Sequence, residues 1–229
     1  MTKYYIIAGV VIVLLIWPIN LAILYSHISS YKNYWNTQNQ LPNKPGQLLY
    51  VALGDSTAQG IGASTPKRSY PYLVKEYLEK KSGKPVKLIN LSVSGAKIQD
   101  AVGTQLPQLA KLRPDVVTME IGANDMGAYN AKAFEASLQK LIAGLPKDTY
   151  LSDVPAFTGR AMNKNVNVID ANRLIDRYVT TAGLRPVALY EATKKNTGLR
   201  YFAADYFHPS NRAYVTWVKA FTDALDYHL

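Results

Sequence analysis

The chain has 229 residues, 48% of them hydrophobic, and a formal net charge of +10. With the first 46 residues set aside, what remains suffices for one ordinary domain with its own core and leaves no room for a second catalytic domain. There is no cysteine, which excludes disulfide frameworks, thiolate zinc sites and cysteine nucleophiles while leaving the compartment open.

Residues 4–25 carry no charge; as a helix these 22 residues span about 33 Å at roughly 1.5 Å each, enough for a hydrocarbon core of about 30 Å. The sequence therefore predicts an N-terminal tail and transmembrane signal anchor over 1–28, strongest over 6–17, with Tyr4, Tyr5, Trp17 and Tyr25 as interfacial aromatics and Pro18 and Asn20 loosening the last turns. The apolar run exceeds the h-region of a cleaved signal peptide, and no small-x-small cleavage site follows between Ala22 and Tyr31. Lys3 ahead of the span sets the tail inside and the domain outside: a single-pass cell-membrane protein with an extracytoplasmic domain. Residues 29–46, rich in amides and turn formers, read as a polar stalk, or as a segment whose Tyr31, Tyr34 and Trp35 lie among lipid headgroups.

Lys3 is the only charge before Ser26, so the rest of the chain carries +9. Its lysines are scattered rather than drawn into an aromatic-interleaved stripe, which suits diffuse attraction to an anionic surface or plain solubility and argues against specific nucleic-acid binding.

From residue 47 onward short β-rich runs alternate with longer amphipathic stretches, the pattern of an α/β domain with a parallel sheet covered by helices. Five strands are predicted, at 48–53, 86–93, 115–121, 149–154 and 185–190, with helices at 70–81, 131–145 and 166–182 and a last helix beginning near Ser210. That helix places Tyr214, Trp217, Val218 and Phe221 on one stripe, which reads as core rather than as a cofactor box.

In such sheets the site lies beyond the carboxyl ends of the strands. Gly54-Asp55-Ser56 follows the first strand, Gly95 the second, and Gly122-Ala123-Asn124-Asp125 the third. Each is a common turn taken singly: Gly95 suits a positive φ, and Asp55 and Asp125 suit loop-holding hydrogen bonds. Asp205-Tyr206-Phe207-His208-Pro209 adds the domain's one histidine other than the penultimate His228. A serine hydroxyl is a poor nucleophile without a base, and the base needs an orienting group; Asp205 and His208, three apart in one loop, supply that pair for Ser56. Glu120, near the third strand's end, and Asp153, after the fourth, have no assigned role. Gly60-Ile61-Gly62 lacks the full dinucleotide fingerprint, and no cluster has metal-ligand spacing, so neither cofactor nor metal is expected.

The ordered set of Ser56, Gly95, Asn124 and Asp205-x-x-His208 resembles the SGNH hydrolases of the GDSL esterase/lipase superfamily, across nearly all of 48–229. The resemblance implies a three-layer α/β/α sandwich, a flavodoxin-like five-stranded parallel sheet forming the 47–229 domain. It further implies Ser56 as nucleophile, His208 as base and then acid, Asp205 as orienting carboxylate, and an oxyanion hole from the N–H groups of Ser56 and Gly95 and the Asn124 amide. The expected partner is a small-molecule, lipid or O-acylated glycan ester or thioester, cleaved through an acyl-enzyme. An O-acyltransferase with the same triad and a non-catalytic anchored binding module are the alternatives.

Overall fold

The computed structural model describes the backbone of residues 2–228 and the side chains of 16–227. It opens with helix α1 (Thr2–Gln40), followed by β1 (Leu48–Gly54), the one-turn α2 (Ser56–Gln59), α3 (Tyr70–Ser82), β2 (Val86–Asn90), α4 (Ile98–Thr104), α5 (Leu106–Leu109) and β3 (Val116–Glu120). The chain continues through α6 (Ala131–Gly144), β4 (Tyr150–Ser152), α7 (Asn165–Thr181), β5 (Arg185–Val187), α8 (Leu189–Thr193) and α9 (Asn211–His228). All four strand pairings are parallel, in the order β2-β1-β3-β4-β5. This is the doubly wound order whose switch point, between β1 and β3, carries the site at the strands' carboxyl ends.

The five expected strands are all present, the first one residue longer than expected and the other four shorter. The second ends at Asn90, and the fifth at Val187, because the apolar run from Leu189 enters α8. A short apolar run reads alike as strand or buried helix. The deciding group is remote in sequence: Asp153 Oδ1 accepts from the Tyr190 N–H at 2.7 Å and so fixes the first turn of α8.

Side chains alternate along β1, dividing the core in two. Val51 and Leu53 face Ile98, Phe134, Leu138, Leu141, Val168 and Ile175, from α4, α6 and α7. Tyr50 and Ala52 face the other layer, where α3 and α9 bring Tyr70, Val74, Tyr214, Trp217 and Phe221 together. Tyr70 stacks on Phe221 at 4.7 Å. Each such side chain contributes about 1.5–3 kcal/mol on burial, so the stripe of α9 is core, as its spacing predicts.

Residues 29–40 correct the expected stalk: they continue α1 and pack on the domain. Tyr31 and Trp35 are buried, and their polar atoms are paired, Tyr31 Oη donating to the Ala63 carbonyl and Trp35 Nε1 to the Gln59 carbonyl, both at 2.8 Å. Asn39 exchanges two hydrogen bonds with the backbone of Asn90. The segment lacks an apolar period because polar-tipped aromatics and an amide dock it. Pro18 lies inside this helix. Among the described residues no helix is long and apolar enough to cross a membrane; most of the 6–17 run lies outside the residues whose side chains are described.

Candidate active site

Ser56 opens α2 directly beyond β1. Its predecessor Asp55 caps this turn, Oδ1 accepting from the Thr57 N–H at 3.0 Å. The strand end is locked from the side by buried Gln105, which accepts from the Gly54 N–H at 2.9 Å and donates to its carbonyl at 2.7 Å. Nothing in the sequence singled out Gln105, since its partner is 51 residues away.

The second half of the site arrives in a loop closed on itself. Phe202 and Pro209 form an antiparallel bridge, the Ala203 N–H donates to the His208 carbonyl at 2.8 Å, and Tyr206 at the tip has φ 59°. The turn holds the Asp205 carboxylate against its own backbone, Oδ1 accepting from the N–H groups of Phe207 and His208, both at 3.0 Å. Asp205 Oδ2 lies 2.6 Å from His208 Nδ1, and His208 Nε2 lies 3.0 Å from Ser56 Oγ. The structure thus brings Ser56, His208 and Asp205 into one hydrogen-bonded line.

Burial alone would raise the Asp205 carboxyl. The hydrogen bond and charge of His208, with the two backbone donors, outweigh it and hold the group down at about 2. It is therefore an anion at neutral pH, accepting Nδ1–H and leaving Nε2 free to receive a proton.

Gly95 and Asn124 occupy the loops after β2 and β3. Gly95 has φ 81°, in the region open to glycine, and a Cβ there would meet nothing within 4 Å. The positive φ is by itself a reason for glycine at this position. Asn124 Nδ2 donates to Asp55 Oδ2 at 3.0 Å and to the Ala96 carbonyl at 3.1 Å, so both amide hydrogens have acceptors within the protein. Asp125, as expected of a loop-holding carboxylate, accepts from the Ile98 N–H at 3.2 Å.

Beneath Ser56 lies an arrangement that the sequence did not reveal. The Thr57 hydroxyl touches two buried carboxyl groups, Asp55 Oδ1 at 3.0 Å and Glu120 Oε2 at closer range. One hydroxyl proton serves only one acceptor, so a second proton must sit on a carboxyl. Burial, then the charge of Asp55, pushes Glu120 well above the carboxylate range. Asp55, although burial raises it too, has Thr57 and Asn124 as donors. Glu120 is thus the acid, donating to Thr57, which donates to Asp55; Glu120 Oε1 has no hydrogen-bond partner among the described residues.

A cleft beside Ser56 is lined by Phe157, Arg160, Phe202, Tyr206, Phe207 and other residues. Its walls are mainly apolar, with Arg160 the one charged side chain away from the Asp55 end. Asp153 lies outside this lining, in its capping role. No group of three or more candidate metal ligands occurs among the described residues. Gly60 and Gly62 serve a turn, both with φ near 95°.

The profile of the GDSL-like lipase/acylhydrolase family matches residues 52–215 of the sequence. This chain belongs to that family. It is a serine ester hydrolase of the GDSL/SGNH type. No curated protein sequence matches this GDSL hydrolase. Among solved structures, it is similar to LAE5, an α/β hydrolase from the metagenome of Lake Arreo, Spain, with 21% identity over 77% of this chain and 94% of that one, at a TM-score of 0.65. It is similar also to Axe2, an acetylxylan esterase from Geobacillus stearothermophilus, with 19% identity over 80% and 96% of the two chains and a TM-score of 0.64. The third is the lipase Lip_vut3 from a goat rumen metagenome, with 19% identity over 78% and 97% and a TM-score of 0.64. At these identities the likeness establishes the fold that this GDSL hydrolase shares with them.

Proposed function

We propose that the protein is a membrane-anchored esterase in which Ser56 is the nucleophile of an acyl-enzyme reaction on lipid or O-acylated glycan esters. The supporting observation is the line from Ser56 Oγ through His208 to Asp205, at 3.0 and 2.6 Å. His208 Nε2 takes the serine proton as Oγ attacks the ester carbonyl, and Asp205 steadies the imidazolium that results. The same Nε2–H then protonates the departing alcohol. Water repeats the sequence in reverse roles, attacking the acyl-enzyme as His208 removes its proton, and the carboxylic acid leaves Ser56.

The tetrahedral oxyanion takes the backbone N–H groups of Ser56 and Gly95 and one N–H of Asn124, which exchanges the Ala96 carbonyl for the substrate oxygen. Neutral donors suit this task because they stabilise developing charge without titrating. Anchoring rests on the uncharged run of residues 4–25 and on Lys3 ahead of it, with the catalytic domain extracytoplasmic.

Fluorophosphonate labelling of the full-length protein in detergent, with the adduct located by mass spectrometry and His208→Ala as control, tests the chemistry. Label on Ser56 that disappears in the variant is expected. A folded protein without label on Ser56 would refute the assignment. Recovery of the chain in the soluble fraction after carbonate extraction of membranes would refute the anchor.

A further inference from the structure

Helix α1 reaches the site that the previous reading makes catalytic. Proceeding from its carboxyl end, Asn39 holds Asn90, Trp35 holds Gln59, Tyr31 holds Ala63, Leu24 and Leu21 pack with Ile61 and Ala203, and Trp17 Nε1 donates to the Ala204 carbonyl at 2.9 Å. Ala204 immediately precedes Asp205. The helix therefore lies along the flank of the site, with Trp17 at the loop that carries Asp205 and His208.

This contact limits how α1 can enter a bilayer. Residues 4–16, ahead of the docking, give about 20 Å of helix at roughly 1.5 Å per residue, about 10 Å short of a hydrocarbon core of roughly 30 Å. A full crossing requires some seven further residues, to about Ile23. Those residues include Trp17 and Leu21, which contact Ala204 and pack with Ala203, so the catalytic loop is drawn down to the membrane boundary with them.

The outward face of this segment suits that depth: Ile16, Trp17, Ile19 and Ile23 are each about half exposed, and none of residues 4–25 is charged. Tyr206, at the loop tip, lines the cleft and is 42% exposed, stacking on Phe202. Arg160 sits on the cleft wall with its guanidinium 5.6 Å from the centre of the Phe207 ring. An apolar cleft with one cation at its wall fits an acyl chain and an anionic headgroup.

We propose that the cleft opens at the bilayer surface and takes the acyl ester of a membrane lipid, an inference that rests on the anchored reading above. The lipid enters from the membrane plane past Tyr206, and its ester carbonyl reaches Ser56.

The absence of native cysteine permits a direct test on the full chain in phosphatidylcholine/phosphatidylglycerol vesicles. Ile16→Cys, Tyr206→Cys and Lys147→Cys, each carrying a nitrobenzoxadiazole label, are quenched with nitroxide-bearing lipid. Lys147 is exposed and precedes β4, at the amino ends of the parallel strands and so opposite the ends that carry the site. Strong quenching at 16 and 206 and none at 147 is expected. Quenching at 16 with 206 behaving as 147 would overturn the proposal and leave the anchor standing; no quenching at 16 would overturn the anchor and the proposal with it. Unmodified protein supplies the second arm, which requires no cysteine variant to fold: release of fatty acid from vesicle-borne lysophosphatidylglycerol is expected. Deacetylation of a soluble O-acetylated xylan without any such release would overturn the substrate class.

Discussion

The side-chain amide of Asn124 donates to the carboxylate of Asp55 across 3.0 Å, so a candidate oxyanion donor is positioned by the residue beside the candidate nucleophile. Asn124→Ala removes that donor and leaves Asp55 Oδ2 without it. A fall in kcat of about 10²- to 10³-fold with little change in KM is expected from the loss of one oxyanion donor. Steady-state kinetics on p-nitrophenyl acetate checks it, and an unchanged kcat removes Asn124 from that role.

Glu120 supplies a sharper test, because a neutral acid and an anion respond oppositely to amidation. Glu120→Gln retains a donor for the Thr57 hydroxyl, so its kcat and melting temperature should stay close to those of the parent. Thr57→Val breaks the link and leaves the buried Glu120 carboxyl unpaired, while Asp55 keeps the residue-57 N–H and the Asn124 amide, with an expected loss of about 1–3 kcal/mol for an unpaired buried partner. Chemical denaturation of both variants decides the matter: a Gln variant as unstable as the Val variant would mean that Glu120 is charged.

Gly62 bears on the histidine loop from the other side. A Cβ added there would fall 2.3 Å from the Pro209 carbonyl oxygen and 3.0 Å from His208 Cβ, at a φ of +94°. Gly62→Ala must displace the loop that presents His208, and a shift near 1 Å at a reacting group can cost about 10²-fold. The expected result is a folded protein with kcat reduced on that scale; parent-like kcat would show that the loop yields without moving the imidazole.

Asp153 carries a pH signature. Burial raises its carboxyl to about 7, against the lowering effect of the Tyr190 and Leu189 N–H groups. The folded state therefore binds this proton more tightly than the unfolded chain, whose carboxyl titrates near 4. Stability is greatest when the group is protonated and declines as pH rises from about 4 through 7. Asp153→Asn keeps an acceptor for Tyr190 without the charge. Its melting temperature should exceed the parent's at pH 8, by about 2–4 °C per kcal/mol relieved, and the gap should close by pH 4. A gap that is constant with pH would refute the titration.

What the sequence disclosed and what it withheld divide along a physical line. Ser56, Asp205 and His208 were legible because strand, turn and helix-entry signals are local, and each residue sits at such a signal. Glu120 was not: a carboxyl at a strand's end looks solvent-facing until the Gly54–Glu120 pairing in the sheet puts it under Thr57. Gln105 and Asp153 likewise act on partners 51 and 37 residues away. Residues 29–40 were misjudged because docking through the polar tips of Tyr31, Trp35 and Asn39 writes no apolar period.

The self-closed loop from Phe202 to Pro209 makes competence separable from integrity. Its antiparallel bridge is isolated from the five-stranded sheet, and the turn supplies its own donors to Asp205. Such a unit can open at far smaller cost than the core. A population that retains its secondary structure and its melting transition while the imidazole swings away would register as inactive enzyme. If His208 is the base, specific activity would then report on the closure of these eight residues, and on the Trp17 and Arg160 contacts that hold them, as well as on how much of the chain is folded.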